Sequence, residues 1–311
     1  MKFLVLTPCN QKEKEELIDL VGEKNIDFSS NEEENTLDKS KYDVVLGNPR
    51  PSKISEYSNL KWLQVQTAGV DWYLKDNRLD KSVKLTNCTG AYGLSVSEHM
   101  LSMLLALIKN LEIYTIYKNK HQWKRLYDYR SIDSMNILVL GLGNLGKEFS
   151  KRANALGAKI IGMKRNTDIK LDYVEKVISN DQLYDYLPWA DCVVNFLPST
   201  KETYNIINKE SISKMKDGVI FLNGGRGSAV DEEALVEALK SKKIYKAAID
   251  VVKDEPLSED SPLWDVENLM ITPHTAGNYI LKQTKDMIFE IFKENIKRYL
   301  NGEELKNVYK R

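Results

Sequence analysis

The sequence predicts an α/β protein of two domains, each built around a sheet of parallel strands. Short β-branched or apolar runs alternate with helix-like stretches along the chain, the pattern of parallel sheets covered by helices on both faces. The chain has 311 residues, more than one hydrophobic core usually supports. One long helical stretch, beginning at Ser95, is apolar over much of its circumference, which is typical of a helix buried between two bodies.

The strand candidates fall into two groups. The first ninety residues contain KFLVLT, YDVVLG, KWLQVQ and VKLTN. The remainder contains MNILVLG, AKIIGM, DCVVNF, GVIFLN, YKAAID and NLMITP. Amphipathic helices are predicted between strands, for example over residues 147–156 and 232–241, and NEEENTLDKSK (31–41) is interpreted as a solvated surface element.

The helical stretch from Ser95 to about Tyr117 is predicted to be one helix, and the domain boundary is placed at its start. A last helix, from Leu281 to Leu300, follows the final strand and is expected to pack back on the first domain. The predicted domains are therefore residues 1–94 plus 277–311, and residues 95–276.

Composition excludes several classes of protein. The 45 basic residues balance 45 acidic ones, which argues against nucleic-acid and membrane-surface binders, since these normally carry a basic excess. The N-terminal run MKFLVLTPCN is too short for a signal peptide, and MLSMLLALI is too short to cross a bilayer. Cys9, Cys88 and Cys192 are widely spaced, without a metal-binding pattern, which predicts reduced thiols in a cytoplasmic protein that binds no metal.

A glycine-rich stretch predicts a nucleotide-binding loop. Gly141, Gly143 and Gly146 have G-x-G-x-x-G spacing, follow an apolar strand and open a helix that leads to a second strand. The first glycine permits a tight turn, the second lets the pyrophosphate approach the backbone, and the third allows close packing of helix on strand. Asn144 and Leu145 are counted in the site because the helix N-terminus attracts phosphate. A tight turn with incidental glycines is the alternative.

The end of the following strand indicates which dinucleotide binds. A carboxylate there would bind the ribose hydroxyls of NAD and repel the extra phosphate of NADP. Lys164 and Arg165 place positive charge where that carboxylate would stand, and a guanidinium can bind phosphate in bidentate fashion. We predict a preference for NADP(H), with Arg165 as the main ligand and Lys164 or Thr167 assisting. If the cations are only exposed surface charges, NAD(H) is the alternative cofactor.

Three further residues follow predicted strands of the same domain. Arg226 lies among three glycines, Glu255 precedes a proline, and His274 follows one. Ligands of parallel α/β sheets bind outside the carboxyl ends of strands, so these residues are candidates for one site. Hydride transfer to a ketone leaves an alkoxide that a histidine can protonate, and a neighbouring carboxylate can raise the pKa of that histidine. An arginine can hold the substrate carboxylate. The arginine, the carboxylate and the histidine together predict reduction of a 2-oxo acid.

Each of these residues, taken singly, has an alternative interpretation: the arginine as the cap of a turn, and the histidine as a structural residue of a loop. The ordered set of motifs is more specific: LQVQTAGVD, NCTGAYGLSVSEHML, LVLGLGNLG, VVNFLPSTKET, FLNGGRG, AAIDVVKDEPL and SPLWDVENLMITPHTAG. With these motifs the chain resembles the D-isomer-specific 2-hydroxyacid dehydrogenase family, which includes glyoxylate/hydroxypyruvate reductases, phosphoglycerate dehydrogenases and formate dehydrogenases. The resemblance covers nearly the whole chain and is weakest in the first sixty residues.

The resemblance implies roles for single residues. Arg226 corresponds to the substrate-binding arginine, His274 to the acid/base, and Glu255 to its partner. Asp250 is similar to the residue that contacts the nicotinamide amide. The resemblance also implies that backbone amides of Ala68, Gly69 and Val70 hold the substrate carboxylate, and that Pro198 contacts the cofactor.

The family fold implies two Rossmann-like or flavodoxin-like domains, the first completed by the C-terminal helix, and a homodimer formed through the second domain. Lys164 stands where NAD-dependent members usually have aspartate, whereas Arg165 resembles the arginine of NADP-using glyoxylate/hydroxypyruvate reductases. His99, within the long helix, is predicted to be a hydrogen-bonded core residue. His121 is predicted to lie at the surface or in a dimer arm.

The prediction is therefore a cytoplasmic, dimeric oxidoreductase that reduces a 2-oxo acid to the D-2-hydroxy acid with NADPH, without a nucleic-acid or membrane partner. One alternative is an NAD-dependent enzyme like phosphoglycerate dehydrogenase. Another is a nucleotide-sensing interaction protein like the carboxyl-terminal-binding corepressors. Glyoxylate and hydroxypyruvate are the substrates that the family suggests, and 2-ketoisocaproate and ketopantoate stay open.

Overall fold

The structure, a computed structural model, describes residues 1–310. Two compact units share the chain: one comprises Met1–Tyr92 and the chain from Tyr279 onward, and the other comprises Gly93–Asn278. The assignment of the first unit to substrate and the second to dinucleotide stays a prediction.

The first unit contains a five-stranded sheet in the order β2-β1-β3-β4-β5, and every pair of neighbours is parallel. This is the flavodoxin-like order of doubly wound folds. The side chains of β1, β3 and β4 are all buried, because helices cover both faces of a parallel sheet. The strands are β1 Phe3–Val5, β2 Ile26–Phe28, β3 Val44–Leu46, β4 Trp62–Gln64 and β5 Lys84–Thr86, and the helices between them are α1 Gln11–Val21 and α2 Asp71–Leu74.

The interpretation of residues 31–41 as a solvated element is wrong at two positions. Glu34 is 0% exposed, and its carboxylate accepts hydrogen bonds from the hydroxyl of Tyr57 at 2.9 Å and the amide of Arg50 at 3.2 Å. Lys39 is 5% exposed and pairs with Glu56 at 2.9 Å. Both charges are buried because a partner satisfies each of them, which composition alone does not reveal.

The second unit contains a seven-stranded parallel sheet in the order β12-β11-β10-β9-β6-β7-β8. Strand order reverses between β6 and β9, which is where doubly wound sheets bind ligands. The strands are β6 Asn136–Leu140, β7 Lys159–Met163, β8 Lys176–Ile178, β9 Cys192–Asn195, β10 Val219–Asn223, β11 Ile244–Ile249 and β12 Leu269–Ile271. The helices are α3 Gly93–Ile108, α4 Leu111–Asn119, α5 Asn144–Ala155, α6 Leu183–Tyr186, α7 Lys209–Lys214 and α8 Glu232–Lys240.

The single helix predicted over residues 95–117 is wrong, because the helical stretch is broken at Asn110. This residue has φ 57° and ψ 30°, a left-handed conformation, and α3 and α4 meet at an angle of 67°. The buried ammonium group of Lys246 donates to the side-chain oxygen of Asn110 at 2.6 Å and to the carbonyl of Leu107 at 3.1 Å. These bonds satisfy the polar groups that the break leaves inside the unit.

Within residues 1–310, no single helix is both long and apolar enough to cross a membrane, and only α3 and α4 taken together across their bend meet that length and composition.

The C-terminal helix, α9, spans Lys282–Leu300 and completes the first unit, as predicted. Its buried Asn295 donates to the side-chain oxygen of Gln64 on β4 at 2.7 Å. Lys293 of α9 pairs with Glu16 of α1 at 2.7 Å. The two sheet orders and this helix confirm the predicted fold class.

Candidate active site

The glycine loop connects β6 to α5 at the point where strand order reverses. Gly141 has φ +95°, a conformation that side chains rarely adopt, and it turns the chain away from the strand. A Cβ atom on Gly146 would lie 2.1 Å from the carbonyl oxygen of Gly141, so the first turn of α5 can approach the strand only if this residue is glycine. A Cβ atom on Gly143 would meet nothing within 4 Å, which leaves open space beside the loop.

The N-terminus of α5 offers free hydrogen-bond donors beside this space. No side chain caps the helix, and among residues 1–310 no backbone carbonyl accepts from the amides of Gly143, Asn144 or Leu145. The side-chain oxygen of Asn144 is also buried without a hydrogen-bond partner. Free amides, a helix N-terminus and an open space together fit the pyrophosphate of a dinucleotide.

Lys164 and Arg165 follow β7, the strand next to β6. Lys164 is half-buried and its backbone amide bonds the carbonyl of Ile178 at 2.9 Å, whereas Arg165 and Thr167 are exposed. The loop after β9 approaches Arg165: a hydrogen bond from Thr200 lowers the pKa of the Glu202 carboxyl, and the charge of Arg165 adds to that effect. Pro198, in the same loop, is exposed, and its carbonyl accepts from Thr203 at 2.6 Å.

His274 and Glu255 are paired. Nδ1 of His274 lies 2.7 Å from Oε2 of Glu255, with the histidine side chain 50% exposed and the glutamate 28%. Because a carboxylate only accepts hydrogen bonds, Nδ1 carries the hydrogen. The other ring nitrogen, Nε2, is therefore the one left available to a ligand.

Asp250 holds the turn that contains His274. It is 2% exposed, and its carboxylate accepts from the hydroxyl of Thr272 at 2.6 Å and from the amides of Thr275 at 2.9 Å and Ala276 at 3.0 Å. Its own carbonyl accepts from the amide of His274 at 2.7 Å, and His274 has φ 51°. Three donors to the side chain and one to the backbone carbonyl fix this turn, a role that the sequence did not indicate.

Arg226 lies three residues beyond β10, in a loop that packs against the chain following β11. A Cβ atom on Gly227 would lie 1.9 Å from the carbonyl carbon of Val252, so only glycine permits this approach. The amide of Val252 in turn donates to Glu255 at 3.3 Å. Arg226 is half-buried and donates to the carbonyl of Gly225 at 2.9 Å. The loop of Arg226 and the loop of Glu255 are thus brought together.

In the first unit, the loop after β4 presents successive free amides. Among residues 1–310, no backbone carbonyl accepts from the amides of Ala68, Gly69 or Val70. Side chains hold the loop from several directions, with donors and acceptors at 2.7–3.1 Å: Tyr92 to the carbonyl of Gln66, Thr67 to that of Gly69, Asn87 to that of Ala68, and the amide of Gln66 to Asn48. A fixed run of unpaired N–H groups suits an anion such as a carboxylate.

His99 is hydrogen-bonded, as predicted, and its partner Thr272 was not among the predicted residues. His99 lies on α3 with its side chain 25% exposed, and Nε2 is 3.0 Å from the hydroxyl of Thr272 and 3.7 Å from Oδ1 of Asp250. The sequence contained one signal: Ser95, His99 and Met103 are spaced by four and share one face of a helix. His121 is exposed and follows α4.

Three comparisons with known proteins bear on this site. Residues 101–276, which lie inside the second unit, match the family model described as D-isomer specific 2-hydroxyacid dehydrogenase, NAD binding domain. A hydroxypyruvate reductase of Thermotoga maritima is 34% identical over 245 residues, which are 76% of this chain and 78% of that protein.

The chain is also similar to solved structures. A D-isomer specific 2-hydroxyacid dehydrogenase family protein from Aeromonas salmonicida has a TM-score of 0.86 at 28% identity, covering 99% of both chains. A D-isomer specific 2-hydroxyacid dehydrogenase from Xanthobacter autotrophicus, in complex with NADPH and MES, has a TM-score of 0.81 at 25% identity, covering 99% of this chain and 98% of that one.

Proposed function

The chain belongs to the D-isomer-specific 2-hydroxyacid dehydrogenase family of NAD(P)-dependent oxidoreductases, and on that basis we propose that it reduces a 2-oxo acid to the D-2-hydroxy acid with NADPH. The observation that carries the proposal is the pair of His274 and Glu255, 2.7 Å apart, in the unit whose glycine loop fits a dinucleotide. Hydroxypyruvate is the first substrate to test, because the Thermotoga maritima relative is named for its reduction.

His274 acts as the general acid in this proposal. The cofactor, when bound, supplies the hydride, and the carbonyl oxygen of the substrate then needs a proton. Nε2 of the protonated ring donates it, while Nδ1 keeps its hydrogen bond to Glu255. The carboxylate stabilises the imidazolium before transfer and holds the ring in one orientation, so that the reverse reaction can use the same nitrogen as a base.

Arg226 is proposed to bind the carboxylate of the substrate, because its guanidinium fork matches a carboxylate in geometry and charge. For Ala68, Gly69 and Val70 of the first unit, the carboxylate-binding role that the family resemblance implies stays a prediction; their free amides lie in a loop that side chains fix in place. Asp250 and Pro198 are proposed to border the cofactor, and Lys164 with Arg165 to bind the extra phosphate of NADPH.

The homodimer and the cytoplasmic location stay predictions from sequence. The surface beyond α4 is consistent with the former, because Trp123 is 98% exposed and Tyr127 is 88% exposed, and large aromatic side chains are enriched at protein interfaces.

The test is a set of assays with NADPH and NADH against hydroxypyruvate, glyoxylate, pyruvate, ketopantoate and 2-ketoisocaproate. We expect NADPH-dependent turnover of at least one acid. His274→Ala should lower kcat by about 10²-fold to 10⁴-fold, because the proton donor is lost, and should leave the Kd for NADPH unchanged.

His121→Asn is the matched control, since His121 is an exposed histidine outside the site, and it should turn over like the wild type. Near-normal turnover by His274→Ala would contradict the mechanism. A wild type that binds NADPH but reduces none of these acids would favour the corepressor-like alternative. A preference for NADH would instead favour an enzyme like phosphoglycerate dehydrogenase.

A further inference from the structure

Three side chains on one face of α3 contact the turn that contains His274. Ser95 donates to the carbonyl of Ala276 at 2.6 Å, His99 bonds the hydroxyl of Thr272 at 3.0 Å, and the sulfur of Met103 lies 4.0 Å from the same hydroxyl. The three α3 residues are spaced by four, so successive turns of one helix reach both ends of the segment 272–276. None of these side chains is used in the proposed proton transfer.

The direction of each hydrogen bond follows from the number of available hydrogens. The hydroxyl of Thr272 has one hydrogen, and the carboxylate of Asp250, only 2.6 Å away, can do nothing but accept. Thr272 therefore donates to Asp250 and must accept from His99. This fixes the hydrogen of His99 on Nε2, and it defines a directed chain from His99 through Thr272 to Asp250. Such chains strengthen each member bond by polarisation.

We propose that His99 is a positioning residue of this enzyme, acting through Thr272 and Asp250 on the placement of His274. The inference rests on the proposed function, because it assigns His99 to the same acid/base site. Asp250 holds the amides of Thr275 and Ala276 with its side chain and the amide of His274 with its carbonyl. A rotation of the Asp250 carboxylate would therefore displace the turn, and with it the imidazole ring, relative to Glu255.

A small displacement of the His274 ring is expected to lower the reaction rate strongly. Misplacement of a reacting group by about 1 Å can cost about 10²-fold in rate, because the reacting atoms leave the geometry of attack. We expect the fold to depend little on the link, since Ser95 also holds the segment through its bond to the carbonyl of Ala276. A positioning role thus predicts a loss of kcat that is out of proportion to the loss of stability.

Two substitutions of His99 separate the hydrogen-bond donor from the ring. His99→Leu removes the donor, whereas His99→Gln keeps an N–H donor at about the reach of Nε2. We expect His99→Leu to lower kcat by about 10-fold to 100-fold, with KM for NADPH and Tm near those of the wild type, and His99→Gln to recover most of the loss. Thr272→Val should lower kcat to a similar extent, and the double variant His99→Leu/Thr272→Val should be no slower than either single variant.

A readout that does not depend on turnover completes the test. The chain has only three histidines, so ¹⁵N NMR of the imidazoles resolves each ring. The His274 Nδ1–H resonance should shift in His99→Leu and return in His99→Gln, and it should be unaffected in His121→Asn. An unchanged His274 resonance in His99→Leu would overturn the inference, as would wild-type kcat in that variant or a loss that His99→Gln does not recover.

The two proposals fail in different ways. Failure of the proposed function appears in the wild type, as NADPH binding without reduction of any 2-oxo acid. Failure of the positioning inference appears only in the variants, and the NMR comparison decides it even if the wild type is inactive.

Discussion

Lys164 and Arg165 are neighbours in sequence but differ in environment. Lys164 is half-buried at the end of β7, where its backbone amide continues the sheet by bonding Ile178 at 2.9 Å. Arg165 is exposed and is close enough to Glu202 for its charge to lower the pKa of that carboxyl, after the larger effect of Thr200. Arg165 can therefore turn toward a phosphate without disturbing the strand, which is why it is the better candidate for the main ligand.

Arg165→Ala should weaken the use of NADPH selectively. Loss of a charged hydrogen bond to the extra phosphate costs about 1.5–3 kcal/mol, which raises KM for NADPH by about 10-fold to 100-fold. KM for NADH should not change, because NADH has no phosphate at that position. The measurement is kcat/KM with each cofactor at saturating 2-oxo acid.

Lys159→Ala is the matched control for this prediction. Lys159 is the exposed cation at the opposite end of the same strand, so its removal changes the net charge equally but leaves the strand end intact. Equal ratios of NADPH to NADH use in Arg165→Ala and the wild type would show that the cations are surface charges only.

At the scale of elements, strands were easier to predict than the helix break. Runs such as NILVL and VIFLN are buried throughout or nearly so, and therefore stand out as continuous apolar stretches. The short edge strands β2 and β8 were missed because neither forms a continuous apolar run of three residues. The break at Asn110 depends on Lys246, which is 136 residues away, and no local pattern contains that information.

The candidate site likewise contains residues that follow strands and a helix-to-loop contact between distant residues. Arg226, Glu255 and His274 each follow a strand, and parallel strands bring their carboxyl ends to one edge, so the pairing of His274 with Glu255 and the approach of the Arg226 loop could be predicted from sequence. The bond between His99 and Thr272 joins residues 173 apart through a helix face. The spacing of Ser95, His99 and Met103 indicates only that they share one helix face, so the partner of His99 could not be identified from sequence.

Lys246→Met should destabilise the second unit. Lys246 is 4% exposed and pairs with Glu112, 20% exposed, at 2.5 Å, and the second oxygen of Glu112 is buried without a hydrogen-bond partner. Removing the ammonium group leaves a partly buried carboxylate without its counter-charge, which costs about 3–5 kcal/mol. Urea unfolding followed by far-UV circular dichroism measures this loss of free energy of unfolding.

The double variant Lys246→Met/Glu112→Met is the control, because replacing both charges by apolar groups of similar volume is often nearly neutral. It should recover most of the stability lost in the single variant. If Lys246→Met were as stable as the wild type, the pair would not hold the junction of α3 and α4.

At the scale of the whole molecule, each unit contains a buried thiol whose reactivity reports on the unfolding of that unit. Cys88 in the first unit and Cys192 in the second are 0% exposed, and burial raises the pKa of both thiols. Burial, followed by the charge of Glu13, raises the pKa of Cys9 to about 12. Because a raised pKa keeps the thiol neutral until the pH approaches that value, almost no reactive thiolate is present at pH 8.

The native protein should therefore react slowly with a disulfide reagent such as DTNB at pH 8, and all three thiols should react once guanidinium unfolds it. An introduced exposed thiol, Lys159→Cys, is the control and should react at once. Since the glycine loop lies in the same unit as Cys192, NADPH should slow labelling of that thiol, because a ligand at about 100 times its Kd stabilises the folded state by about 2.7 kcal/mol. Mass spectrometry of labelled peptides measures the labelling rate of each thiol. If NADPH left the labelling rate of Cys192 unchanged, either the cofactor would bind outside the second unit or labelling would not require the unfolding of that unit.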